Sequence, residues 1–165
     1  ASGVEGSRAA CEEVGGVEVT QRNLLEDLRL EPTFDLVHAF GCLHHTGNTH
    51  FAFENVMKAV KPGGYLFLMV YVEPEEAGSY AYYNEVDSLH RKLRNLGSAE
   101  RVAYLKDYLP EEESLHMWFD AASPSIKERY ESVEVEGWFT AAGFEDVRRT
   151  RTENLFLVGR TRPES

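Results

Sequence analysis

The chain has 165 residues, 42% of them hydrophobic and 27% charged, which is enough for one domain with a sizeable core and no staples. Its formal charge of -11 argues against nucleic acid or an anionic membrane as the main partner, because those contacts rely on clustered Lys and Arg. Two cysteines, Cys11 and Cys42, set up no disulfide framework, no stretch approaches a membrane span, and the start has no signal-peptide pattern, so a cytoplasmic address is the default expectation.

In chain order, SGVE (2–5) reads as the tail of a strand, and SRAACEEV (7–14) as a helix with Ser7 as N-cap and Gly15-Gly16 as its stop. VEVT (17–20) is a short β-branched run. FDLVHAFG (34–41) is a largely apolar strand of the kind buried on both faces of a parallel sheet. Phe53, Val56, Met57 and Val60 recur with helical spacing, predicting a helix over 48–61 that Asn48 or Thr49 caps and Pro62-Gly63-Gly64 ends. YLFLMVYV (65–72) is the most hydrophobic strand.

After it, AYYNEVDSLHRKLRNL (81–96) and SAERVAYLKDYL (98–109) read as helices, and ESLHMWFDAASP (113–124) as an aromatic stretch ending in a loop. VEVEGWFTAAG (133–143) is helical with a Gly stop. The strands EDVRRTRTE (145–153) and NLFLVGR (154–160) follow almost without a break, so they pair as an antiparallel hairpin at one end of the sheet. This alternation predicts an open α/β sheet, mostly parallel, with helices on both faces. Ligands of such sheets sit outside the carboxyl ends of the strands.

FGCLHHTGNTH (40–50) leaves one of those carboxyl ends and holds Cys42, His44, His45 and His50 within nine positions. A structural zinc site needs ligands that converge, commonly as two short pairs with a spacer. This run has no second pair, its adjacent His44 and His45 point apart, and His50 leaves along a helix, so no metal is assigned. Its histidines nevertheless stand beside the expected crevice.

FDLVHAFGCLHHT, then a helix, KPGG and YLFLMVY, resembles the fourth-to-fifth-strand segment of class I S-adenosylmethionine-dependent methyltransferases. GWFTAAGFEDV is similar to that family's last helix and the start of its sixth strand. The likeness is good over residues 2–72 and 131–160 and loose between them. It implies a Rossmann-like methyltransferase sheet, S-adenosylmethionine as cofactor and a small-molecule methyl acceptor.

On this pattern SGVEGS ends the second strand, and Glu5, followed by Gly6, falls where the family's acidic residue takes the two ribose hydroxyls. A carboxylate can accept both, although an ordinary surface Glu is the alternative. The position that usually offers an Asp to the adenine amino group holds Asn23. Its carbonyl can still accept that bond, while the Leu24 N–H faces the ring. Phe40 and Gly41 would supply backbone contacts to the methionine part, with glycine allowing close approach.

The family's first strand and its GxGxG loop have no counterpart, because Gly3, Gly6, Gly15 and Gly16 do not imitate that loop. The expectation is a chain that begins inside a longer protein, is weakly stable and binds cofactor poorly by itself. Residues 73–130 resemble the helical insertion with which family members cover the acceptor. Tyr71, Tyr80, Tyr82, Tyr83, His116, Trp118 and Asp120 are its candidate pocket residues, set against plain packing of a small helical subdomain.

Methyl transfer from a sulfonium needs positioning, exclusion of water and sometimes a base. His44, His45 and Tyr71 stand at strand carboxyl ends, with His45 the best placed. A nicotinamide-dependent oxidoreductase would need a GxGxxG loop that is not seen. A non-catalytic methyltransferase-like interaction module is the other alternative. Neither the acceptor nor the oligomeric state is legible.

Overall fold

The computed structural model describes residues 3–12, 14–74, 79–110, 114–151 and 155–163. Helix α1 (Gly3–Glu12) is followed by an irregular stretch and strand β1 (Phe34–Phe40). A 3-10 turn (Leu43–His45), helix α2 (Thr49–Met57) and strand β2 (Val60–Val70) complete a parallel β-α-β unit. Helices α3 (Ser79–Leu93), α4 (Ser98–Tyr108) and α5 (Leu115–Ala122) come next, then α6 (Ser132–Ala141) and the antiparallel strands β3 (Phe144–Arg151) and β4 (Leu155–Thr161). The sheet order is β1-β2-β4-β3, with the expected C-terminal hairpin at one edge.

The strands alternate as their residues dictate. Val37 and Ala39 of β1, Leu66, Leu68 and Val70 of β2, and Leu155 and Leu157 of β4 point to one face. There they meet Ala52, Phe53 and Val56 of α2 and Val135, Trp138 and Phe139 of α6. The Phe53 and Phe139 rings, 5.2 Å apart, join the two helices. Asn48 caps α2 by accepting the Phe51 N–H at 3.2 Å.

The helix expected to reach residue 61 stops at Met57. The Ala59 carbonyl accepts N–H bonds from Thr33 and Phe34, both at 3.0 Å, which draws the chain into strand pairing. The register then jumps from Phe34↔Val60 to Leu36↔Tyr65, so the KPGG turn bulges out of the start of β2 with Gly63 at φ +76°.

Four expectations are corrected. Among the described residues the sheet is not mostly parallel: β1–β2 is parallel, but the C-terminal hairpin lays β4 antiparallel on β2 and β3 antiparallel on β4. SGVE is not a strand tail but lies largely within α1, and VEVT is irregular. Strand formation needs a neighbour to share its hydrogen bonds, and neither segment has one among the described residues; α1 satisfies its backbone within itself instead. Among the described residues, the helices with the main contacts to the sheet do not lie on both faces. The helices in register with the strands, α2 and α6, share one face. The other carries an aromatic row in which His38 stacks on Phe67 at 4.8 Å and Phe67 meets Phe156 at 6.2 Å. Leu36 and Phe40 on that side are 58% and 53% exposed.

Between β2 and α6, α3 to α5 build a second core of Val86, Leu89, Leu93, Leu105, Trp118, Ala121 and Ala122. Arg101 ties its loops by donating to the carbonyls of Leu96 at 2.8 Å and Ser123 at 2.6 Å. The chain returns to the sheet through Tyr130, whose N–H donates to the Tyr71 carbonyl at 3.2 Å.

Gly159 and Gly137 behave oppositely. A Cβ on Gly159 would stand 2.6 Å from the Phe139 ring, whereas one on Gly137, exposed on α6, meets nothing within 4 Å. Gly159→Ala is therefore expected to cost about 1–3 kcal/mol through overpacking, and Gly137→Ala to gain about 0.5–1 kcal/mol through helix propensity. Urea midpoints check both, and a Gly159→Ala protein as stable as the parent would contradict this packing.

Candidate functional site

Parallel pairing of β1 and β2 brings their carboxyl ends to one edge of the sheet. There a cleft of about 700 Å³ opens between the loops and the α4–α5 region, with Phe40, Gly41, His45, Met69 and Tyr71 on its sheet side and Asp120 opposite. Gly41, at φ +66°, turns the chain out of β1 while its N–H still donates to the Met69 carbonyl at 3.2 Å. A residue with a side chain is disfavoured in that left-handed geometry.

The two adjacent histidines differ sharply. His44 is fully buried, its ring 4.0 Å from Tyr71 and 4.1 Å from His45, and neither ring nitrogen has a hydrogen-bond partner among the described residues. Burial, helped by the neighbouring His45, pushes its pKa down to about 3. His45 lines the cleft, and its Nδ1 lies 2.7 Å from the Ile126 carbonyl. A carbonyl only accepts, so Nδ1 carries the proton and Nε2 of the neutral ring is left as an acceptor. Burial also raises the Tyr71 hydroxyl above the usual phenol range, so Tyr71 is a neutral donor.

Met69, Tyr71 and Asp120 also wall a smaller cavity of about 220 Å³ beneath α3 and α5. Tyr82 and Tyr83 give it aromatic sides, and Lys127 and Arg129 line it with charge. Asp87 accepts from Arg129 Nη1 and Nη2 at 2.9 and 2.7 Å and from Lys127 Nζ at 3.0 Å. The Arg129 hydrogen bonds above all hold the Asp87 carboxyl down at about 2. The Arg129 guanidinium also lies 4.7 Å from the Tyr83 ring centroid, a cation–π contact that helps fix it. A third cavity, about 480 Å³, lies between α2 and α6 beside His50 and Trp138, away from the strand carboxyl ends.

Of the residues singled out in the sequence, Phe40, Gly41, His45 and Tyr71 meet at the large cleft. Glu5 and Gly6 do not line it; they lie in α1, with Glu5 exposed. Asn23 and Leu24 belong to a turn outside the lining. Asn23 Oδ1 accepts the Leu25 N–H at 3.1 Å, its Nδ2 donates to Glu26 at 2.9 Å, and the Leu24 carbonyl accepts from Asn55 at 3.0 Å. Tyr82, Tyr83 and Asp120 reach the smaller cavity, while Trp118 packs in the second core and Tyr80 and His116 are exposed.

Among the described residues no group of His, Cys, Asp and Glu converges as a metal site. Sequence reasoning missed Asp87, Lys127 and Arg129. Their only sequence signal is two cations flanking Glu128 in IKERY, which reads as ordinary loop charge.

His44 makes a pH prediction. Its folded pKa lies below the ordinary histidine value, so the unfolded chain binds the extra proton and native stability falls as pH drops from about 6.5 towards 3. His44→Phe, which keeps a ring against Tyr71, is expected to flatten that fall by up to about 1.4 kcal/mol per pH unit. Urea titrations at pH 7.5, 5.5 and 4.5 read it, and parallel curves for the two proteins would refute it.

A family model described as a methyltransferase domain matches residues 4–66. No curated protein is similar enough in sequence to count as a relative. Among solved structures, an O-methyltransferase family protein from Burkholderia thailandensis superposes with a TM-score of 0.62 at 18% identity, over 98% of this chain and 41% of that one. A putative methyltransferase from Bacillus halodurans gives 0.52 at 19%, over 88% of this chain and 49% of that one. The 1,6-didemethyltoxoflavin-N1-methyltransferase of Burkholderia thailandensis, solved with 1,6-didemethyltoxoflavin and S-adenosylhomocysteine, gives 0.52 at 14%, over 94% and 56%. The chain thus spans about two fifths to just over half the length of these structures. It resembles a methyltransferase domain in sequence over residues 4–66 and shares the fold of these methyltransferase structures.

Proposed function

We propose that the chain carries the transfer of a methyl group from S-adenosylmethionine to a small-molecule acceptor, at the cleft over the carboxyl ends of β1 and β2. The observation that carries this reading is the convergence of Phe40, Gly41, His45 and Tyr71 on one cleft of about 700 Å³, a volume within the roughly 300–1,000 Å³ of small-molecule sites. The non-catalytic alternative has no observation of its own in its favour.

The residues at the cleft suit the amino-acid end of the cofactor. Gly41 has the left-handed backbone that lets a ligand approach the main chain, and a Cβ there would meet only Met69 Sδ, at 3.8 Å. Phe40 beside it is exposed and apolar. Glu5 with Gly6 for the ribose, and Asn23 with Leu24 for the adenine, are the remaining proposed contacts. They lie outside the cleft lining, so cofactor binding by this chain is expected to be weak.

The cofactor supplies an electrophilic methyl group on a good leaving group. The chain's part is orientation, exclusion of water by the α3–α5 helices, and a proton acceptor. His45 Nε2 is the proposed base, because its Nδ1–H is committed to Ile126. His44, buried and held neutral, keeps a second cation away from that ring.

Equilibrium dialysis with S-adenosylhomocysteine tests the reading. Weak, saturable binding is expected, reduced about tenfold or more in Gly41→Val with an unchanged far-UV circular dichroism spectrum. Retained binding in that variant, or none by the parent chain at millimolar ligand, would overturn the site.

A further inference from the structure

Deepening that same reading and resting on it, we infer that the smaller cavity takes the acceptor as a small aromatic anion, a hydroxylated aromatic carboxylate whose acid group docks on Lys127 and Arg129.

The first observation is a local reversal of charge. The chain as a whole carries -11, yet two cations sit nearly out of water here, the Lys127 side chain 6% exposed and that of Arg129 14%. Their direct partner is one carboxylate, Asp87, so the cluster keeps one net positive charge. Lys127 donates a single bond to Asp87 among the described residues and so has two N–H groups to offer; Arg129 Nε is buried without a partner among those residues. Buried cations call for anionic oxygen within reach. Asp120, at the mouth, pairs with His116 Nε2 at 3.4 Å and faces largely outward, and Glu73, near Arg129, is exposed. Neither carboxylate is within ion-pair distance of the two cations.

The second observation is shape. Tyr71, Tyr82 and Tyr83 line the cavity with rings, and Met69 and Met117 add soft apolar walls. At about 220 Å³ it falls below the roughly 300–1,000 Å³ of drug-sized sites, which suits one substituted ring. The third is continuity. Met69, Tyr71 and Asp120 belong to both cavities, so a ring anchored by its carboxylate at Lys127 has its far end towards the cleft that holds His45.

The chemistry then balances. The acceptor hydroxyl gives its proton to His45 Nε2 while its oxygen bonds the methyl carbon. The carbon–sulfur bond of S-adenosylmethionine breaks with its electron pair going to sulfur. The products are an aryl methyl ether and S-adenosylhomocysteine, and His45 returns its proton to solvent.

Calorimetric titration of the chain, with no cofactor present, against 4-hydroxybenzoate and the neutral 4-hydroxybenzamide tests this without requiring turnover. The carboxylate is expected to bind about tenfold or more tightly than the amide. Lys127→Gln should remove that preference. Because a change at a buried lysine can unfold the protein, Tyr82→Ala serves as a second variant, expected to weaken both ligands while keeping the ratio. Equal affinity for the two compounds, no binding of either, or a folded Lys127→Gln that still prefers the carboxylate would overturn the inference. Parallel dialysis with S-adenosylhomocysteine separates the two claims. Gly41-dependent cofactor binding without carboxylate preference sinks the acceptor class alone, whereas the preference without cofactor binding supports the anion pocket and sinks methyl transfer.

Discussion

The parallel pairing of β1 with β2 is the constraint on which the rest of the molecule depends. Parallel neighbours cannot be joined by a tight turn, so α2 must cross the sheet, and its Ala52, Phe53 and Val56 then form the core with α6. The same pairing makes both strands end at one edge. Ala39↔Leu68 and Phe40↔Met69 register sets Gly41 beside Met69, and the loops that follow carry His45 and Tyr71 into one cleft. A slip of one residue would turn Val37 and Ala39 outward and present His38 to the core.

Two adjacent histidines then acquire opposite characters from their surroundings alone. His44 is shut between Tyr71 and its neighbour with no polar partner among the described residues, and stays neutral. His45 is oriented by a single carbonyl and faces the cleft. The buried uncompensated imidazole costs stability, of the order of 1–3 kcal/mol for an unsatisfied polar group. In exchange, the wall behind the proposed base carries no charge. On the far side of Tyr71 the electrostatics invert: within an acidic chain, Lys127 and Arg129 are gathered around Asp87 behind aromatic walls.

What the sequence made legible follows from the range of the interactions involved. The apolar run 34–41, the helical spacing of Phe53, Val56 and Met57, the run from Tyr65 and the closing hairpin are local patterns, and each became the element it predicted within a few residues. The rule that ligands gather at strand carboxyl ends then picked out His45 and Tyr71, and the family resemblance picked out Phe40 and Gly41. SGVE and VEVT have strand composition as well, but a strand exists only with a partner, and composition does not carry that information. Glu5 and Asn23 were assigned by family resemblance alone, and they are not brought to the cleft. The Asp87–Lys127–Arg129 cluster was invisible because its members lie some forty positions apart and meet only once α3 folds back over the sheet's end.

The central claim, that ligand recognition belongs to the cleft over β1 and β2, is tested most directly by mapping amide chemical-shift changes on adding S-adenosylhomocysteine to isotope-labelled protein. The account predicts that the shifts concentrate at Phe40–His45 and Met69–Tyr71. Shifts centred instead on the cavity between α2 and α6, around His50, Phe53 and Trp138, would contradict it.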